Sequence, residues 1–105
     1  MSAASVVLSP RAQRDLLEIA DYLRAEAGAR TAWRWVGKLR GAAFSLGREP
    51  LKGPADDGLG LGRRRLLVEP YLIVYSLAED GAVQILRIIH GRRDLPAIFR
   101  AAAAD

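Results

Sequence analysis

Cysteine is absent from the 105 residues and histidine occurs once. Without thiols there is no disulfide framework and no thiolate metal site, and one imidazole cannot supply a histidine-rich one. No metal and no cofactor are therefore expected. The opening residues, Met1 to Pro10, have neither a basic n-region nor an apolar run long enough for a signal peptide or membrane span. The expected location is the cytoplasm, with no membrane partner. Lysine is scarce as well: Lys38 and Lys52 are the only two among sixteen basic residues, and the rest are arginine.

Half the residues are hydrophobic and 27% are charged, a globular composition with room for one domain spanning 1–105 and one core. The net charge of +4 and a pI near 10.1 favour an acidic partner, either nucleic acid or protein. The arginine excess has two readings. A GC-rich coding sequence would produce it together with the abundant alanine, and arginine's planar fork would serve carboxylate or phosphate recognition.

Along the chain, Val6 to Leu8 is a short β-branched run that stops at Ser9-Pro10, a helix cap followed by a residue suited to the first helical position. Ala12, Leu16, Ile19, Ala20, Leu23 and Ala27 then recur at helical spacing up to Gly28, with Arg11/Asp15 and Arg14/Glu18 as i, i+4 pairs on the polar side. A second helix runs from about Ala29 to Leu46, its core stripe made by Ala32, Trp35, Val36, Leu39, Ala43 and Leu46. Trp33, Gly37, Gly41 and Phe44 lie on another side of it. The glycines suggest close approach by another element, either the first helix or a partner seated in an exposed groove.

Gly47 to Gly62 reads as a long loop. No Gly-Lys-Ser/Thr follows its glycines, so it is not a phosphate-binding loop. Three strands follow as a meander, Arg63 to Val68, Tyr71 to Leu77 and Ala82 to His90, with Glu69-Pro70 and Glu79-Asp80-Gly81 as turns. Tyr71 to Leu77 is apolar on both faces, as a doubly covered central strand would be. In the last strand, alternation puts Val83, Ile85, Arg87 and Ile89 on one face and Gln84, Leu86, Ile88 and His90 on the other. Leu95 to Ala104 forms a short helix or a loosely ordered tail. The expected class is α+β in the order β-α-α-β-β-β: a small antiparallel sheet covered by a helical hairpin, with Leu16, Ile19, Leu23, Trp35, Leu39, Val74 and Ile88 in one core.

Chemistry-bearing groups are few. Arg63, Arg64 and Arg65 open a strand, and Arg64 faces away from the other two. His90 closes the last strand beside Arg92 and Arg93, and a phosphate-sized anion would fit if the central strand brought these ends together. Each also has a bland reading: edge protection for the arginine triplet, a solvated turn for Arg92 and Arg93, and a local hydrogen bond for His90. Asp56-Asp57 reads as loop solvation. Tyr22, Tyr71 and Tyr75 read as packing residues.

Leu8-Ser-Pro-Arg-Ala-Gln-Arg-Asp-Leu-Leu-Glu-Ile-Ala-Asp-Tyr-Leu23, Arg65-Leu-Leu-Val-Glu-Pro-Tyr-Leu-Ile-Val-Tyr75 and Val83-Gln-Ile-Leu-Arg-Ile-Ile-His-Gly-Arg-Arg-Asp94, in that order, resemble the ParE/RelE toxin family. The likeness runs from about Val6 to Phe99. It implies the toxin of a type II toxin-antitoxin module, held inactive in a hetero-oligomer by a cognate antitoxin that is ParD-like or similar. ParE-like members bind DNA gyrase and trap its cleaved-DNA complex, whereas RelE-like members cut mRNA on the ribosome. Cleavage needs a proton-transfer pair and cations on the phosphate. The closing tyrosine associated with many RelE-like nucleases is missing, because Gly91 follows His90 and Phe99 has no hydroxyl. The resemblance thus points to the ParE-like branch, a non-enzymatic inhibitor. Its expected target- or antitoxin-binding residues are Trp33, Phe44, Arg63, Arg64, Arg65, His90, Arg92, Arg93 and Phe99. Were the chain a nuclease, Arg65, His90 and Arg93 would be the catalytic candidates. A third reading is a non-toxic basic adaptor or nucleic-acid-binding domain.

Overall fold

Residues 3–91 are described by the computed structural model. β1 (Val6–Leu8) leads into α1 (Pro10–Ala27), and α2 (Ala29–Ser45) follows after a single residue, Gly28. A 3-10 turn (Asp57–Leu59) interrupts the long loop before β2 (Arg63–Val68), β3 (Tyr71–Leu77) and β4 (Val83–His90). Ser9 caps α1 by accepting the Ala12 amide at 3.0 Å, with Pro10 at the start of the helix. Gly28 reverses the chain at a φ of 93°, where a side chain would be strained. The calls for Leu95 to Ala104, and for Arg92, Arg93 and Phe99, lie outside the described residues.

The sheet order is β1-β4-β3-β2. β2, β3 and β4 form the expected antiparallel meander, and β1 joins it parallel to β4. Parallel strands need a long crossover connection, and the helical hairpin lies within the one that joins β1 to β4.

On the helix-covered face, Leu16, Leu39, Ala43 and Leu46 pack on Tyr71, Ile73, Tyr75, Val83, Ile85 and Ile88, and Ile19 and Trp35 flank them. Burying side chains of this size at roughly 1.5 to 3 kcal/mol each holds the layers together. Val74 does not belong to this core. Ile73 and Tyr75 point to the helices, so alternation turns Val74 to the other face, where it packs with Leu59, Leu72 and Ile89. Leu23 is only half buried and stands outside both clusters. β3 is nevertheless covered on both sides, as its composition predicts.

Strict alternation fails in β4. The ladder pairs Tyr75 with Ile85 but Val74 with Arg87, which leaves Leu86 without a cross-strand partner. One extra residue shifts the period. Val83, Ile85 and Ile88 therefore all enter the helix-facing core, and Ile89 joins the opposite cluster.

β1 covers only Val83 to Ile85 of β4. Beyond it, α1 supplies the missing partners. The Ser9 amide donates to the Ile85 carbonyl at 2.9 Å, and the Ser9 hydroxyl donates to the Leu86 carbonyl at 3.0 Å. Asp15 Oδ2 accepts from the Ile88 amide at 2.9 Å and from Arg87 Nε at 2.8 Å, while its Oδ1 accepts from Arg87 Nη2 at 3.2 Å. Asp15 keeps Arg11 as an i+4 neighbour at 3.6 Å, yet it is 3% exposed and not on the polar side where its spacing with Arg11 suggests it.

Removing one member of such a buried pair leaves the other charge uncompensated, and here it also strands an amide. Asp15→Ala is expected to lower the unfolding free energy in urea by about 3 to 5 kcal/mol. The double change Asp15→Leu with Arg87→Met should recover most of the arginine's share. A single-variant loss under about 1 kcal/mol, the size of an exposed ion pair, would contradict this role.

Candidate functional site

The three arginines of β2 hold the long loop against the sheet. Arg63 Nη1 donates to the Leu59 carbonyl at 2.9 Å. Arg64 donates from Nε to the Gly53 carbonyl at 2.8 Å and from Nη2 to the Leu51 carbonyl at 3.3 Å. Arg65 is the most open, and its Nε lies 3.5 Å from Asp56 Oδ2. Asp56 in turn caps the 3-10 turn by accepting the Gly58 amide, so it has a structural task beyond solvation. From the helix-facing core, the Tyr75 hydroxyl accepts the Gly53 amide at 2.9 Å and donates to the Pro50 carbonyl at 2.8 Å. Gly53 lies so close to β2 that a β-carbon there would collide with the Arg65 carbonyl.

The sheet register does not bring the arginine triplet to His90. Arg63 pairs with Ser76 and Arg65 with Val74, near the end of β3, whereas His90 pairs with Tyr71 at its start. Antiparallel neighbours place the start of β2 and the end of β4 at opposite ends of the strand between them. Arg65 and His90 are offset by three residues of β3, about 10 Å along the strand, and by two strand spacings across it. Their partners Val74 and Tyr71 also lie on opposite faces. His90 stacks edge-on against Tyr71 at 5.8 Å, and Trp35 meets the same ring at 5.4 Å. Burial, and then the nearby Tyr22 phenol, push the Tyr71 pKa up from its ordinary value near 10. Tyr22 itself is exposed, not packed.

The open feature is a groove of about 630 Å³ formed by β1 (Val6, Val7, Leu8), α1 (Gln13, Leu16, Leu17, Ala20, Arg24) and α2 (Ala32, Trp33, Val36, Arg40, Phe44). Trp33 is 73% exposed and Phe44 46%, and the Arg40 guanidinium lies 5.6 Å from the Phe44 ring centre. Among the described residues, the only charged side chains lining the groove are Arg24 and Arg40. The first helix does not fill the glycine side of α2: nothing lies within 4 Å of a β-carbon built at Gly37 or Gly41. Large exposed aromatics beside apolar walls are the features of a protein-docking surface.

Sequence reasoning missed Asp15, Arg87, the Tyr75 hydroxyl, and Val7 and Leu17 of the groove. One signal was available: Asp15 stands at i+3 from Ala12 and i−4 from Ile19, inside the apolar stripe. Among the described residues, no three His, Cys, Asp or Glu side chains gather in a way that could hold a metal ion, and no helix is long and apolar enough to cross a membrane.

The fold agrees with the comparisons to known proteins. The chain belongs to the ParE toxin family of type II toxin-antitoxin systems, whose family model, described as the ParE toxin of parDE, matches residues 6–95. It is 29% identical over 89 residues to Toxin ParE1 of Mycobacterium tuberculosis, covering 85% of this chain and 91% of that one. To Toxin RelE2 of Caulobacter vibrioides it is 38% identical over 90 residues, covering 86% and 98%. Among solved structures, the chromosomal ParDE toxin-antitoxin system from P. aeruginosa superposes with a TM-score of 0.74 at 23% identity, covering 84% of this chain and 96% of the matched one. The RelBE2 toxin-antitoxin complex from Mycobacterium tuberculosis gives 0.60 at 24%, covering 84% and 98%. These two likenesses speak to the fold.

The loop's anchorage can be tested at one atom. Tyr75→Phe removes the hydroxyl that satisfies Gly53 and Pro50 and should cost about 1 to 3 kcal/mol. Amide exchange at Gly53 should quicken with it. Unchanged exchange at Gly53 would show that the loop is held without Tyr75.

Proposed function

We propose that this chain is a ParE-like toxin that acts by binding, with DNA gyrase as its target and a ParD-like antitoxin as its neutralising partner. The observation that carries this reading is the employment of the sheet's arginines in the fold itself. Phosphodiester cleavage needs cations free to offset charge on the reacting phosphate, together with groups that move protons. Arg87 is buried against Asp15, and Arg63 and Arg64 donate to loop carbonyls. Arg65 and His90 lie on separate faces of the sheet. Tyr71, beside His90, is buried and packed between two rings.

The groove is the surface proposed for the antitoxin. An amphipathic segment would seat its apolar residues against Trp33, Val36 and Phe44 and place carboxylates near Arg24 and Arg40. Desolvated anchors would then set residence time, and the arginines would set association rate. A second reading, the RelE-like mRNA nuclease, draws on the 38% identity to the relative named Toxin RelE2.

Purified toxin is expected to inhibit gyrase supercoiling of plasmid DNA in a dose-dependent way and to leave ribosome-bound mRNA intact. His90→Gln should change potency only modestly. Phe44→Ala should weaken antitoxin binding by about 2 kcal/mol, close to thirtyfold in Kd, and added salt should slow association more than it speeds dissociation. Codon-positioned mRNA cuts abolished by His90→Gln, with gyrase unaffected, would replace this reading with the nuclease.

A further inference from the structure

The two helices divide the chain's charge unequally. α1 carries three arginines and four carboxylates, whereas α2 carries Arg30, Arg34, Lys38 and Arg40 and no acidic residue. Arg11 and Arg24 of α1 have carboxylates within 4.0 Å, but among the described residues none of the four α2 cations does. Lys38 rests 4.7 Å from the Trp35 ring centre and Arg40 stands beside Phe44 at the groove.

Three of these cations, Arg30, Arg34 and Lys38, follow one another at i, i+4 and i+8 and form a straight, exposed ladder. Every feature of that ladder works against the helix by itself. Like charges four residues apart repel. Arg30 lies in the first turn, at the positive end of the helix dipole. Gly37 and Gly41, which share the ladder's face, weaken the helix further. The Lys38–Trp35 contact offsets only part of these costs, whereas an external polyanion would relieve both the repulsion and the clash with the helix dipole. The same glycines leave the α2 backbone bare, with nothing within 4 Å, so a bulky anionic chain could approach closely.

We infer that this outer face of α2 is a second binding surface, and that its partner is the phosphate backbone of duplex DNA. An acidic protein fits less well. Protein interfaces are anchored by buried apolar or aromatic groups, and the large exposed ones of α2, Trp33 and Phe44, line the groove. Between the ladder's cations there is only glycine and helix backbone. A single strand would call for aromatic stacking platforms, and the ladder itself has none. Contacts of this type carry no sequence information and position the protein on the helix. The choice of DNA among duplexes rests on the gyrase reading, because gyrase holds duplex DNA where it works. The ladder and the groove would then serve different partners from adjoining sides of one helix.

The test uses the full chain without gyrase. Fluorescence anisotropy with a 20-base-pair duplex should show sequence-independent binding that weakens steeply with salt. Arg30→Gln/Arg34→Gln/Lys38→Gln should lower affinity at least tenfold at low salt, and should reduce the slope of log K against log salt by between two and three, about 0.9 per lost phosphate contact. Arg34→Gln alone should give about a third of that change. Trp33→Ala/Phe44→Ala should leave DNA binding unchanged. An unaltered slope in the triple variant would overturn the inference, as would tighter binding of poly-glutamate or single-stranded RNA than of the duplex. Supercoiling assays run in parallel separate the two readings. Gyrase inhibition without DNA binding by α2 sinks this inference alone, and DNA binding without gyrase inhibition sinks the gyrase reading alone.

Discussion

A first strand of three residues is too short to cover β4, and the buried carboxylate of Asp15 makes up the deficit. It satisfies the Ile88 amide where β1 has ended and neutralises Arg87 in the same stroke. Ser9, six residues earlier, takes the carbonyls of Ile85 and Leu86. The first two turns of α1 thus complete the sheet edge and fix the helix against it. With α1 tied to β4 in this way and α2 following after one glycine, the hairpin is oriented so that its second helix keeps an uncovered side. The groove beside β1 is a consequence of that constraint.

The bulge at Leu86 belongs to the same arrangement. A strand of strict alternation would send Ile88 away from the helices if Val83 and Ile85 faced them. The extra residue returns Ile88 to the core and places its amide within reach of Asp15. At the opposite edge of the sheet, guanidinium groups do for the loop what a carboxylate does for β4. Arg63 and Arg64 satisfy carbonyls of a segment rich in glycine and proline that forms little regular structure of its own. Arg63, Arg64 and Arg87 are structural residues, whereas the arginines of α2 face outward.

Much of this architecture was legible in sequence. The bounds of β1, β2 and β3 and the break at Gly28 follow from β-branched runs, a Ser-Pro cap and a helix-stopping glycine, all of which are local signals. What was not legible depends on partners distant in the chain. Asp15 and Arg87 are 72 residues apart, and nothing in either neighbourhood announces the other. Val74 is a core residue on the face away from the helices, and because both faces of β3 are apolar its composition could not say which face meets them. Arg63 to Arg65 could be read as edge protection or as a recognition cluster, because exposed and structural arginines read alike until their acceptors are placed, backbone carbonyls for Arg63 and Arg64. Trp33, Phe44 and the glycines of α2 were visible as a surplus apolar side, but only the structure shows that α1 leaves that side open.

If the β2 arginines serve the fold, loop anchorage and toxin activity are separable properties of the chain. Arg64→Ala tests this most directly, with thermal unfolding and gyrase inhibition measured on the same preparation and activity normalised to folded protein. Losing the bonds to Gly53 and Leu51 should cost about 1 to 2 kcal/mol, lowering Tm by several degrees, while inhibition per folded molecule stays at the level of the unmodified chain. An unchanged Tm with inhibition abolished would contradict the account and make Arg64 part of the working surface.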